Sequence, residues 1–111
     1  MKVDVVEKKG VTVLGLGGKI TLGSGDVKLK EKLVAELSKG KKKIVVDLGE
    51  VSYIDSAGLG ELVAAYTSAK KQGATVKLAN LTKKVNDLLD ITRLSTVFET
   101  YNSVDEAIKS F

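Results

Sequence analysis

The run Ile44-Val45-Val46-Asp47-Leu48-Gly49-Glu50-Val51-Ser52-Tyr53-Ile54-Asp55-Ser56-Ala57-Gly58-Leu59-Gly60 decides the architecture. It opens on a short β-branched stretch, Ile44 to Leu48, typical of a strand covered on both faces or lying in a parallel sheet. After Ser52-Tyr53-Ile54-Asp55-Ser56 the pattern turns helical. Leu59, Leu62, Val63, Tyr66 and Ala69 make one buried stripe, and Gly73 stops it. The next segment, Thr75 to Ala79, alternates as a strand with Val76 and Leu78 on one side. Strand, helix and strand in this order, with a crossover of this length, make a right-handed βαβ unit. The fold class is therefore α/β, with a mostly parallel sheet.

Working outward, the same logic covers both flanks. Upstream, Val3 to Val6 and Val11 to Leu16 are Val-rich stretches separated by Glu7-Lys8-Lys9-Gly10, which predicts an antiparallel hairpin with Gly10 in the turn. Gly17-Gly18 allows a bulge before Lys19-Ile20. Gly23-Ser24-Gly25-Asp26 breaks the chain and supplies candidate N-caps. Leu29, Leu33, Val34 and Leu37 then recur at helical spacing until Gly40. Downstream, Thr82 is placed to cap a third helix with Val85, Leu88, Leu89 and Leu94 as its apolar positions. Ser103 to Glu106 fits a capping box for a fourth, whose buried face is Val104, Ala107, Ile108 and Phe111.

Composition closes off much chemistry. The 111 residues suit one domain, residues 1–111, and 43% apolar with 29% charged residues is an ordinary globular balance. With no Cys there are no disulfides or thiolate ligands, and with no His there is no imidazole base and no Ser–His pair. The N-terminus lacks the apolar core of a signal peptide and no apolar run is long enough to span a bilayer, so the expected location is the cytoplasm. The net charge of +4 raises the question of nucleic acid. Every basic residue except Arg93 is Lys, however, aromatics are 5% of the chain, and the lysines are mostly interleaved with Asp and Glu. Base readout favours Arg and strand binding favours stacked aromatics, so the charge reads as a solvated surface.

Three glycine-rich stretches fail as nucleotide motifs. Gly18-Lys19 lacks the earlier P-loop glycine, where Val13 stands, and the following Ser or Thr, where Ile20 stands. Gly58-Leu59-Gly60 opens a helix after a strand, but Val63 replaces the third glycine of a dinucleotide fingerprint. Gly23-Ser24-Gly25 is a turn. Asp47 and Asp55 flank the entry to the second helix and are the one carboxylate pair placed to hold a metal or share acid–base work. With no supporting partners in the sequence, capping and turn roles suit them better. No cofactor or metal site is expected, and the chain does not read as an enzyme.

The segment Asp55 to Gly60 places the Ser56 hydroxyl in the first turn of a helix, just past a buried strand, where open parallel sheets present functional groups. Spacing alone favours Ser56 as the helix cap. Gly58 and Gly60 are poor helix formers, and keeping both either flattens a surface for a partner or permits close packing on the strands.

The run Asp55-Ser56-Ala57-Gly58-Leu59-Gly60, preceded by Val45-Val46-Asp47-Leu48 and Val51-Ser52-Tyr53-Ile54, resembles the signature of the STAS domain family, and within it the bacterial anti-sigma factor antagonists. The likeness extends from Gly18-Lys19-Ile20 through Leu78-Ala79-Asn80-Leu81 to Val97-Phe98 and Glu106-Ala107. It implies a β–α superhelix with the helices largely on one face of the sheet. It also implies a phosphorylation switch: Ser56 is the phosphoacceptor of an anti-sigma factor that is itself a serine kinase, Asp55 is its acidic neighbour, and Ala57, Gly58, Leu59 and Gly60 belong to the docking surface. The unphosphorylated antagonist binds the kinase, phosphorylation releases it, and a phosphatase resets it. Ala57 stands where many members carry a second Ser, which leaves Ser56 as the only hydroxyl of the motif, and the positive net charge departs from acidic members. The alternative within the same fold is a scaffold subunit of a lipid-transport or signalling complex, with Ser56 a cap and nothing more. Oligomeric state is left open.

Overall fold

The computed structural model describes residues 2–20 and 26–111, the side chains of residues 26–28 excepted. The break and caps expected at Gly23-Ser24-Gly25-Asp26 lie outside the described residues, except that helix α1 (Asp26–Ser38) begins there. Strands β1 (Lys2–Lys8) and β2 (Val11–Ile20) form the hairpin. Its two turn residues, Lys9 and Gly10, both have positive φ (51° and 80°), the conformation whose twist matches the flanking strands. Strand β3 (Lys43–Ile54), helix α2 (Ser56–Lys71), strand β4 (Thr75–Ala79), helix α3 (Lys83–Ile91), strand β5 (Thr100–Tyr101) and helix α4 (Val104–Lys109) follow. The sheet order is β1-β2-β3-β4-β5, antiparallel at β1–β2 and parallel elsewhere.

Helices α1 and α2 stop in the same way. Gly40 (φ 84°) and Gly73 (φ 77°) follow them in the left-handed region. The amides of Lys41 and Ala74 reach back to Glu36 O and Ala69 O, and those of Gly40 and Gly73 to Leu37 O and Lys70 O. This paired closure satisfies the last carbonyls, and glycine takes the positive φ without a Cβ penalty.

Two cores sandwich the sheet. On one face, Leu14, Leu16, Ile20, Ile44, Val46, Leu48, Val76 and Leu78 pack under α1, α2 and α3. On the other, Val11, Val13, Val45 and Ala79 pack under α4 through Ala107 and Ile108, with Val104 and Phe111 at the margin. The helices are thus mostly on one face. Strand β4 is covered on both sides, and its outward position on the α4 face is taken by Lys77, 5% exposed. Lys77 Nζ donates to Ser110 O (3.1 Å) and Ser110 Oγ (2.7 Å), and lies 4.5 Å from the centroid of the Phe111 ring. The buried ammonium closes the C-terminal turn of α4, where the helix dipole favours a cation.

Strand β3 is longer than its apolar run suggests. It gains one residue on β2 between the pairs Gly15–Asp47 and Gly17–Glu50, and another between Gly18–Val51 and Lys19–Tyr53. Each bulge sets two residues against one, so Leu48, Val51 and Ile54 all face the same core at a spacing of three. Asp47 accordingly lies inside the strand and does not flank the entry to α2. Its Oδ1 accepts from the Gly49 amide (3.0 Å) and from Asn80 Nδ2 (3.1 Å), which fastens the first bulge to the end of β4.

Candidate functional site

The two bulges carry β3 past β2 and deliver Ile54 into the core, so that Asp55 becomes the last residue before α2. The Asp55 amide donates to Ile20 O at 3.4 Å, which ties this corner to the end of β2. Asp55 is extended (φ −105°, ψ −179°), and its Oδ1 accepts from the Gly58 amide at 2.7 Å, while its carbonyl accepts from the Leu59 amide at 2.9 Å. Asp55 is therefore the N-cap, and the expectation that Ser56 caps the helix is overturned. The cap must accept a bond from two or three residues ahead while its own backbone is extended, and Asp55 meets both conditions.

This one-residue difference sets the chemistry of the corner. Ser56 is the first helical residue, exposed, and among the described residues its hydroxyl takes part in no hydrogen bond. None of the described residues accepts from the Ser56 or Ala57 amides either. An exposed hydroxyl over the first amides at the positive end of a 16-residue helix is a place where added negative charge is stabilised, typically by about 0.3–1 kcal/mol.

The rest of the motif divides. Gly58 and Leu59 are buried, Leu59 being 3% exposed within the main core. A Cβ at Gly58 would lie inside the contact distance of the Ile20 carbonyl oxygen and carbon, so this glycine lets the helix start rest directly on the backbone of β2. These two residues are buried, and in the structure of the chain itself their role is packing. Gly60 is the opposite case: it is exposed, and none of the described residues has an atom within 4 Å of the point a Cβ would occupy. Close packing explains Gly58 and leaves Gly60 unexplained by any neighbour. Ala57 is half-buried.

Two residues outside the motif stand at the same corner. Tyr53 is exposed at the end of β3, and Lys84 Nζ, from the first turn of α3, lies 5.8 Å from its ring centroid. Tyr53 carries a signal in the sequence, an aromatic next to the motif at the close of a strand. Lys84 carries none, because its approach depends on how α3 crosses the sheet. The second carboxylate considered for chemistry, Asp47, is committed to Gly49 and Asn80, and Asp55 to Gly58. Among the described residues no three potential metal-ligating side chains converge. No described helix is long and apolar enough to cross a membrane.

Known proteins share this fold. Residues 2–107 match the STAS domain. An anti-sigma-B factor antagonist of Bacillus subtilis is 36% identical over 99 residues, covering 89% of each chain. An anti-sigma factor antagonist from Mycobacterium paratuberculosis has the same fold, with a TM-score of 0.85 at 23% identity, over 98% of this chain and 92% of that one. The Bacillus cell fate determinant SpoIIAA in its phosphorylated form also shares the fold, with a TM-score of 0.74 at 15% identity over 98% of both chains. The chain belongs to the STAS domain family, and its relatives there are anti-sigma factor antagonists.

Proposed function

We propose that this protein is a phospho-regulated interaction domain that binds an anti-sigma factor kinase while Ser56 is unmodified and is released when Ser56 is phosphorylated. The observation that carries the reading is the exposed hydroxyl of Ser56, unbonded among the described residues, beside a cap already supplied by Asp55. The names of the relatives support the partner class, and SpoIIAA, which shares the fold, is known in both unphosphorylated and phosphorylated forms. The scaffold alternative gave Ser56 the role of a cap, and the cap bond belongs instead to Asp55, which favours the first reading.

The kinase transfers the γ-phosphoryl group of ATP to Ser56 Oγ and releases ADP, and a phosphatase later hydrolyses the ester. The modification adds about −1.5 to −2 charges and three acceptor oxygens. The protein itself tolerates this, since the cap bond belongs to Asp55 and the first amides of α2 favour an anion. A partner packed over Ser56, Gly60 and Tyr53 does not, because it must now desolvate a dianion next to the Asp55 carboxylate. Regulation is by surface charge with little change of shape.

The test is direct. Incubated with its cognate kinase and ATP, the protein should gain one phosphate, assigned to Ser56 by tandem mass spectrometry. Ser56→Ala should gain none and stay bound to the kinase, and Ser56→Asp should bind it roughly a hundredfold more weakly. Phosphate on another residue, or labelling retained in Ser56→Ala, would overturn the proposal.

A further inference from the structure

Strand β1 forms one edge of the sheet for seven residues. The turn that closes Lys8 onto Val11 makes these two a hydrogen-bonded pair, and bonded pairs then alternate along the hairpin. The backbone groups of Lys2, Asp4, Val6 and Lys8 thus point to β2, and those of Val3, Val5 and Glu7 point to the open edge, where none of the described residues meets them. Such an edge is a template for another strand. Its valines are unusually open, Val5 at 37% and Val6 at 48% exposed. Asp4, Val6 and Lys8 stand on the α4 face, beside an open groove of about 790 Å³ that reaches Val104.

We propose that β1 pairs antiparallel with β1 of a second copy of this chain, about a two-fold axis at Val6, to give one continuous sheet across both copies. The unpaired amides admit only registers that set odd-numbered residues opposite odd-numbered ones, and charge selects among these. An axis at Val5 sets Lys2 opposite the second copy's Lys8, twice. An axis at Asp4 sets two Asp4 carboxylates against each other. The axis at Val6 sets Asp4 opposite the second copy's Lys8, twice, and Val6 against Val6, while Val5 and Glu7 exchange the backbone bonds. Lys2 falls beyond the overlap. The Glu7 side chain stays clear of it, held on the other face by Lys41 at 2.8 Å. The edge charges therefore disfavour the axes at Val5 and Asp4, and axes at Val3 or Glu7 would overlap only three residues of β1 against five at Val6, so length and charge together favour the Val6 register. Ser56 lies beyond β2 and β3 from this edge, so pairing leaves it open and the inference stands apart from the phosphorylation reading.

The overlap is short, so association belongs to the upper micromolar to millimolar range and is read by sedimentation equilibrium over a concentration series. The average mass of the unaltered protein should climb towards twice the monomer. Val6→Lys should remain monomeric. Asp4→Lys and Lys8→Asp should each weaken association roughly tenfold, and the double variant Asp4→Lys/Lys8→Asp should restore it. All these side chains are exposed, and an unchanged thermal melt for each variant separates lost pairing from lost folding. A protein monomeric throughout the series, or a double variant no better than either single one, would overturn the inference.

Discussion

Helices α2 and α4 both begin with a side-chain oxygen that accepts from the amide three residues ahead, yet their serines have opposite fates. At α4 the serine is the cap: Ser103 Oγ accepts from the Glu106 amide at 3.1 Å. At α2 the acceptor is Asp55, and Ser56 sits one residue further on with its hydroxyl outward. The same residue type at a helix start bonds the helix in one place and, among the described residues, bonds nothing in the other. What differs is position relative to the cap, a matter of one residue, and it determines whether a phosphate would break a helix start or be accommodated by it.

The contrast can be broken most severely at Gly58. Gly58→Ala drives a methyl into the Ile20 backbone, which no side-chain rotation relieves, and should cost about 3 kcal/mol or more in urea denaturation. Asp55→Ala removes the α2 cap and should cost about 1–2 kcal/mol by the same measurement. Ser103→Ala should cost about 1 kcal/mol at the shorter helix, and a loss well below that would mean that the α4 cap is idle. Gly60→Ala should stabilise by about 0.4–1 kcal/mol, seen as a raised melting temperature, because the site is open and helical. If the same variant binds the proposed kinase partner less well, Gly60 is kept for the partner and not for the fold. Ser56→Ala should move stability by less than about 0.5 kcal/mol. A loss equal to that of Ser103→Ala would return Ser56 to the role of a cap and remove the distinction between the two serines.

Much of the fold is legible in the sequence because its elements carry local signals. The stripe on α2, Thr82 before α3 (its Oγ1 accepts from the Val85 amide at 3.4 Å) and the face of α4 are all periodic or capping patterns read within a few residues. The capping box at Ser103 forms in one direction: Glu106 Oε2 accepts from the Asn102 amide at 3.3 Å, one residue before the cap. Strand β5 escapes a sequence reading, since two residues paired to Leu78 and Ala79 have no periodicity to detect. Strand β3 reads short, since its two bulges replace alternation with a spacing of three beyond Leu48. In the same way Lys77 breaks the expected one-sided pattern of β4, because burial of its ammonium depends on Ser110, Phe111 and α4 closing over it.

By itself the sequence determined the α/β alternation, the starts of α3 and α4, the stops of α1 and α2, and the Asp55–Gly60 corner as the place to look, because each of these follows from backbone preferences and hydrophobic spacing over short distances. Only the tertiary structure decided that Asp55 holds the cap and Ser56 is exposed beyond it, that Gly58 and Leu59 face inward while Gly60 faces out, and that Lys84 joins Tyr53 at the same corner. Those outcomes depend on where β2 ends beneath α2 and how α3 crosses the sheet, contacts between residues far apart along the chain, which no local pattern encodes.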